Sequence, residues 1–130
     1  MIDSPLVLFV DDDVDILDAL SLMLEDEGYA VKTAERADYA EALPQATDPL
    51  PDLIILDVLL SGTDGRTVCQ KLKTGPETSR IPVLMISAHP GAGPSVMQVG
   101  ADAFLAKPLS VDDILDTVAE LLTSDQRSEG

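Results

Sequence analysis

Leu53-Ile54-Ile55-Leu56-Asp57 is a run of four aliphatic residues closed by one carboxylate. A continuous apolar run this short reads as a strand, and one without polar alternation reads as a strand covered on both faces. Two runs of the same kind stand on either side. Leu6-Val7-Leu8-Phe9-Val10 leads into Asp11-Asp12-Asp13, and Pro82-Val83-Leu84-Met85-Ile86 leads into Ser87. Tyr29 to Thr33 is a weaker strand, and Ala103-Phe104-Leu105-Ala106 is a fifth, ending at Lys107-Pro108.

Helical patterns fill the intervals. In Asp13 to Glu27, Leu17, Leu20 and Leu24 recur at helical spacing with Ile16 and Met23 beside them, and Gly28 is a stop signal. Asp13 is placed to cap this helix. Asp38 to Leu43 reads as a short helix closed by Pro44 and the loop Thr47-Asp48-Pro49-Leu50-Pro51. Arg66 to Lys73 follows the turn cluster Ser61-Gly62-Thr63-Asp64-Gly65, with Asp64 available as its cap and Arg66 as a solvated first-turn residue. His89-Pro90-Gly91-Ala92-Gly93-Pro94 is rich in breakers, and a short helix is expected from Ser95 to Val99. Ser110 caps the last helix, whose apolar face is Val111, Ile114, Leu115, Val118 and Leu122. Five strands alternating with five helices imply an α/β domain: a doubly wound parallel sheet with helices on both faces. The domain is expected over residues 5–122, with a polar C-terminal tail over 123–130.

The 130 residues fit a single domain. The 24 acidic against 8 basic side chains leave a formal charge of -16, which disfavours nucleic-acid backbones and anionic membrane surfaces as partners. No apolar run approaches the ~18 residues that span a bilayer, and the start Met1-Ile2-Asp3-Ser4-Pro5 lacks signal-peptide character. The lone Cys69 excludes an internal disulfide and reads as a small helix-face hydrophobe. A cytoplasmic protein is the expectation.

In an open parallel sheet, ligands bind beyond the carboxyl ends of the strands. The strand ends here offer the Asp11-Asp12-Asp13 cluster, Asp57, Ser87 and Lys107. Two carboxylates about 4 Å apart repel by roughly 4 kcal/mol at an effective dielectric of about 20, so such a cluster calls for a cation. A hard divalent ion such as Mg²⁺ suits carboxylate oxygens and bridges to phosphate. Lys107 supplies a fixed positive charge and Ser87 a donor. Asp57 is then placed to act as a nucleophile toward a phosphoryl group, giving an acyl phosphate.

The motifs Phe9-Val10-Asp11-Asp12-Asp13, Leu56-Asp57-Val58, Asp64-Gly65, Ile86-Ser87-Ala88, Gly100-Ala101 and Phe104-Leu105-Ala106-Lys107-Pro108 resemble those of receiver domains of two-component response regulators. The resemblance covers Leu6 to Leu122. It implies a flavodoxin-like sheet of strand order 2-1-3-4-5. It implies that Asp57 is the phosphoacceptor, charged by a histidine kinase or a histidine phosphotransfer protein. It implies that Asp11, Asp12, Asp57 and the backbone carbonyl of Leu59 hold Mg²⁺ or Mn²⁺, Asp12 directly and Asp11 mainly through water. Ser87 and Lys107 would bind the phosphoryl group, and Phe104 would be the aromatic switch residue. The Lys107-Pro108 bond would be cis. The fourth helix, fifth strand and fifth helix would form the output face, toward an unknown partner, a fused domain or a second copy in a phosphorylation-dependent homodimer. Such a domain is no enzyme, though it assists its own phosphorylation and dephosphorylation.

Three positions depart from the family pattern. Ser61 stands where proline is common, which predicts a more mobile loop after Asp57. Leu59 is apolar where a polar residue is common, and His89 follows Ser87 by two positions. Leu59 and His89 are therefore expected to tune the lifetime of the phosphorylated state. Two alternatives stand beside this reading: a receiver that binds partners without being phosphorylated, and a haloacid-dehalogenase-like phosphatase. Asp11-Asp12-Asp13-Val14 begins the phosphatase pattern, but Asp15 stands where Thr or Val belongs.

Overall fold

The computed structural model describes residues 4–43 and 49–129, with side chains described through residue 123. Residues 1–3, 44–48 and 130 lie outside it, and with them Pro44, Thr47 and Asp48 of the expected loop.

Five parallel strands form the main sheet: β1 (Leu6–Val10), β2 (Ala30–Ala34), β3 (Leu53–Asp57), β6 (Val83–Ser87) and β7 (Ala103–Ala106). Their spatial order is β2-β1-β3-β6-β7, which is the expected 2-1-3-4-5 when sheet strands alone are numbered. A two-stranded antiparallel ribbon, β4 (Leu59–Leu60) and β5 (Thr63–Asp64), stands apart from it. The α-helices of the described residues are α1 (Val14–Asp26), α2 (Ala37–Glu41), α3 (Gly65–Thr74), α4 (Gly93–Gln98) and α5 (Val111–Glu129).

The apolar runs become the sheet's centre for the reason their composition suggests. β3 and β6 are buried along their whole length, and β1 is buried from Val7 onward. Side chains alternate across the sheet. Leu8, Val10, Ile54, Leu56, Val83 and Met85 therefore join Ala37, Ala40, Val68, Cys69, Leu72 and Val96 in one core, against α2, α3 and α4. Val7, Phe9, Leu53, Ile55, Leu84 and Ile86 join Leu17, Leu20, Leu24, Ile114, Val118 and Leu122 in the other, against α1 and α5. β2 and β7 are the edges and stay partly exposed.

Several element ends differ from the sequence reading. β2 begins at Ala30 because the Tyr29 N–H is used at the end of α1, on Leu24 O at 3.1 Å, and it extends to Ala34, whose carbonyl accepts from Asp11 N at 3.0 Å. β6 begins after Pro82, which has no N–H for the ladder. α2 lies one to two residues earlier than expected. The breaker-rich segment after His89 is helical: a 3₁₀ turn over Pro90–Ala92 runs into α4. Both prolines sit in first turns, where the missing N–H would have no helical partner. α5 continues through Glu129, past the point where composition alone starts a tail.

Candidate functional site

The site assembles at the carboxyl ends of β1, β3, β6 and β7. Asp11 follows β1 and is fully buried. Its Oδ1 accepts from Asp13 N at 2.9 Å, while Asp13 itself caps α1 through Oδ1, which accepts from Asp15 N and Ile16 N. Asp57 ends β3 and is 5% exposed. Its Oδ1 accepts from Leu59 N at 3.2 Å, and its Oδ2 accepts from Lys107 Nζ at 3.0 Å. The same Nζ lies 3.0 Å from Asp11 Oδ2. Asp12, exposed, completes the group: one carboxylate oxygen from each of Asp11, Asp12 and Asp57 lies within 4.8 Å of the others.

Electrostatics follow from that crowding. Burial pushes the Asp11 carboxyl above its ordinary range and the Asp57 charge adds to this, outweighing the Asp13 N–H and Lys107. Burial pulls the Lys107 ammonium down, but its contacts with Asp57 and Asp11 prevail and hold it above its ordinary range.

The donor set fits a hard divalent cation. Asp11 Oδ2 is buried and meets no hydrogen-bond donor in aligned geometry, with Lys107 Nζ 3.0 Å away as its nearby charge. Three carboxyl groups gather around one ammonium, an excess of acidic oxygens that a single divalent ion would suit.

The remaining predicted residues surround this group. Ser87 ends β6 and is buried; its Oγ accepts from His89 N at 3.0 Å, and its carbonyl accepts from Lys107 N at 2.8 Å. It makes no side-chain contact with Asp57 at hydrogen-bond distance. Leu59 holds its N–H at the site while its side chain is 58% exposed. His89 is exposed, and its backbone ties to Ser87. Phe104 lies on the α4 face of β7, where its ring approaches Gly93 and packs on the core. The Lys107-Pro108 bond is cis.

Three features went unread in the sequence. One is the β4–β5 ribbon, which the turn pair Ser61-Gly62 between two short flanks signals. Gly62 has φ +73° there, a turn position that favours glycine. Another is the hydrogen bond from Ser61 Oγ to Asp12 Oδ2 at 2.8 Å, which joins the loop after Asp57 to the acid cluster. The last is Arg66. Rather than standing free in solvent, it donates from Nε to Asp64 Oδ1 at 2.9 Å and from NH2 to Oδ2 at 2.7 Å, and its NH1 reaches Ser95 Oγ on α4 at 3.2 Å. These bonds hold the Asp64 carboxyl below its ordinary range. Asp64 also caps α3 through Arg66 N, as its position in the sequence suggests.

Comparison with known proteins places the chain in a family. The family model described as the response regulator receiver domain matches residues 7–119. The chain is 40% identical over 125 residues to the DNA-binding dual master transcriptional regulator RpaA of Synechocystis sp., covering 95% of this chain and 51% of RpaA. It is 43% identical over 114 residues to the response regulator PleD of Caulobacter vibrioides, covering 86% of this chain and 24% of PleD. A CheY-like response regulator receiver domain protein from Methanospirillum hungatei superposes with a TM-score of 0.85 at 29% identity, over 98% of this chain and 100% of that one. The chain thus spans about half of RpaA and a quarter of PleD. The phosphatase alternative is not favoured by any of these matches. From the strand order, the acid cluster with its lysine and the family match over residues 7–119, the chain belongs to the response regulator receiver domains of two-component signal transduction.

Proposed function

We propose that Asp57 accepts a phosphoryl group from the phosphohistidine of a partner, a histidine kinase or a histidine phosphotransfer protein. The carrying observation is the meeting of Asp57 with Asp11, Asp12 and Lys107, from two other stretches of chain, at one edge of the sheet. An Asp57 carboxylate oxygen attacks phosphorus, and the phosphorus–nitrogen bond breaks with its electron pair leaving on the imidazole. Asp11, Asp12, Asp57 and the Leu59 carbonyl would hold Mg²⁺ or Mn²⁺, which would supply positive charge to offset the oxygens of the transferring group. Lys107 pairs with the phosphoryl group and Ser87 donates to it. The domain thereby assists its own phosphorylation and dephosphorylation while turning over no substrate of its own.

The switch is read at the face of α4, β7 and α5. Shifting a two-state equilibrium from about 1:99 to 99:1 takes roughly 5.5 kcal/mol of differential interaction. Hydrogen bonds to charged groups contribute about 1.5–3 kcal/mol each, so Ser87 and Lys107 supply much of it. Phe104, a β7 residue whose ring lies against the start of α4, is the residue through which Ser87 reaches that face. An output partner, a fused domain or a second copy binds there; direct nucleic-acid contact is disfavoured by the net charge of -16. Among the described residues no helix is long and apolar enough to cross a membrane. The cytoplasm is the compartment this reading implies, since phosphohistidine donors are charged from ATP. A largely apolar groove of about 340 Å³, lined by Ile16, Leu20, Met23, Pro108 and Leu109, opens beside Lys107.

The test is intact mass after incubation with acetyl phosphate and Mg²⁺. Wild type gains one phosphoryl group and Asp57→Ala gains none. A wild type that stays unmodified overturns this reading in favour of a receiver that binds without phosphorylation.

A further inference from the structure

Each of the three clustered carboxylates has its own restraint. Asp11 is held by burial and the Asp13 N–H, and Asp57 by the Leu59 N–H and Lys107. Asp12 is exposed, and repulsion from the other two carboxylates pushes it toward solvent. Among the described residues, the donor that opposes this is the hydroxyl of Ser61, 2.8 Å from Asp12 Oδ2 and 49 positions away in the chain. Ser61 is itself held in place. With Gly62 it forms the two-residue turn of the ribbon, closed by the Leu60–Thr63 pair. Gly62 takes the positive φ, so Ser61 needs no strained backbone.

We infer that Ser61 is a positioning residue for divalent-cation binding. Its hydroxyl fixes the Asp12 carboxylate toward Asp11 and Asp57, so the oxygens are gathered before the ion arrives. This rests on the reading that the cluster holds a cation. Partners that orient a metal ligand from outside typically change affinity by 10–100-fold; an exposed hydrogen bond belongs at the low end of that range.

The experiment is Mn²⁺ titration followed by the electron paramagnetic resonance signal of the free ion, on the unphosphorylated protein. Wild type, Ser61→Ala, Ser61→Thr, Ser61→Pro and Asp57→Asn are compared, with circular dichroism confirming the fold of each. Ser61→Ala is expected to weaken Mn²⁺ binding about 10-fold, and Ser61→Thr, which keeps the hydroxyl, to bind within about twofold of wild type. Ser61→Pro, with a stiff turn and no hydroxyl, is expected to bind as weakly as alanine. Wild-type affinity in Ser61→Ala overturns the inference, as does failure of threonine to rescue. Recovery by proline overturns it too, by assigning the effect to turn stiffness. If wild type binds Mn²⁺ no better than Asp57→Asn, the cation reading of the cluster fails and the inference falls with it.

Discussion

Lys107 Nζ stands 3.0 Å from Asp57 Oδ2, across 50 positions of chain, and is the positive charge that lets two buried carboxylates share one pocket. Removing one partner of a buried ion pair leaves the other uncompensated, which costs about 3–5 kcal/mol. Lys107→Met is expected near the lower bound, about 3 kcal/mol, because the lysine is partly solvated. Urea unfolding in a chelator measures this. Saturating Mg²⁺ is expected to return most of the loss. A midpoint equal to wild type in chelator would show that the pocket does not need its lysine.

The raised Asp11 carboxyl sets a pH dependence of the ion-free protein. A group whose folded pKa exceeds its unfolded value contributes stability that is fully present below the unfolded value, near 3.8, and is lost as pH rises through the folded one. Ion-free wild type should therefore gain stability relative to Asp11→Asn as pH falls toward 4. Thermal midpoints of both proteins across pH 4–8 in chelator check this. Parallel curves would remove Asp11 as the source.

Leu59 follows Asp57 by two positions and His89 follows Ser87 by two, and both side chains are exposed. Hydrolysis of an acyl phosphate needs a water in line with the phosphorus, and an apolar Leu59 does nothing to orient one. Leu59→Asn is expected to speed dephosphorylation several-fold, about 1 kcal/mol of barrier. His89→Ala is expected to change that rate as well. The decay of the phosphorylated mass after phosphodonor removal reads both, and unchanged rates in both variants would free these positions of any role.

Gly65 begins α3 directly against the backbone of Asp57. A Cβ there would overlap the Asp57 carbonyl oxygen and crowd Val58 Cα. Backbone cannot step aside as a flexible side chain can, so Gly65→Ala should destabilise by about 2–3 kcal/mol. Gly91, with open space around its Cβ position, is the control and should tolerate alanine within about 0.5 kcal/mol. Chemical denaturation of the pair decides it.

The Cys69 thiol is buried in the α3 face of the core, and burial pushes its pKa up to about 11. Thiolate is the reacting form, so the native protein should resist a thiol-specific disulfide reagent at pH 8. One equivalent is expected to react once denaturant unfolds the chain. Rapid labelling without denaturant would contradict the placement of this side chain.

The strands were legible where aliphatic residues run without interruption, as in Leu53 to Leu56, because burial on both faces leaves no other use for such a run. Ends were less legible. Tyr29 looks like strand, yet its N–H serves the end of α1, and no local pattern announces that. Pro90 and Pro94 read as breakers, whereas the same missing N–H is harmless in a helix's first turn. At the site, position after a strand singled out Asp11, Asp57, Ser87 and Lys107. The Ser61–Asp12 and Arg66–Ser95 bonds escaped because they join segments 49 and 29 positions apart, which spacing along the chain does not encode.

Asp11, Asp57, Ser87 and Lys107 each hang from a different strand of one sheet. The pocket thus exists only when those strands lie side by side in the correct order and register. A half-finished chain, or one with a strand peeled away, has scattered acids and a stray amine in place of a reactive centre. Under the proposed function, phosphorylation of Asp57 would therefore report completed folding.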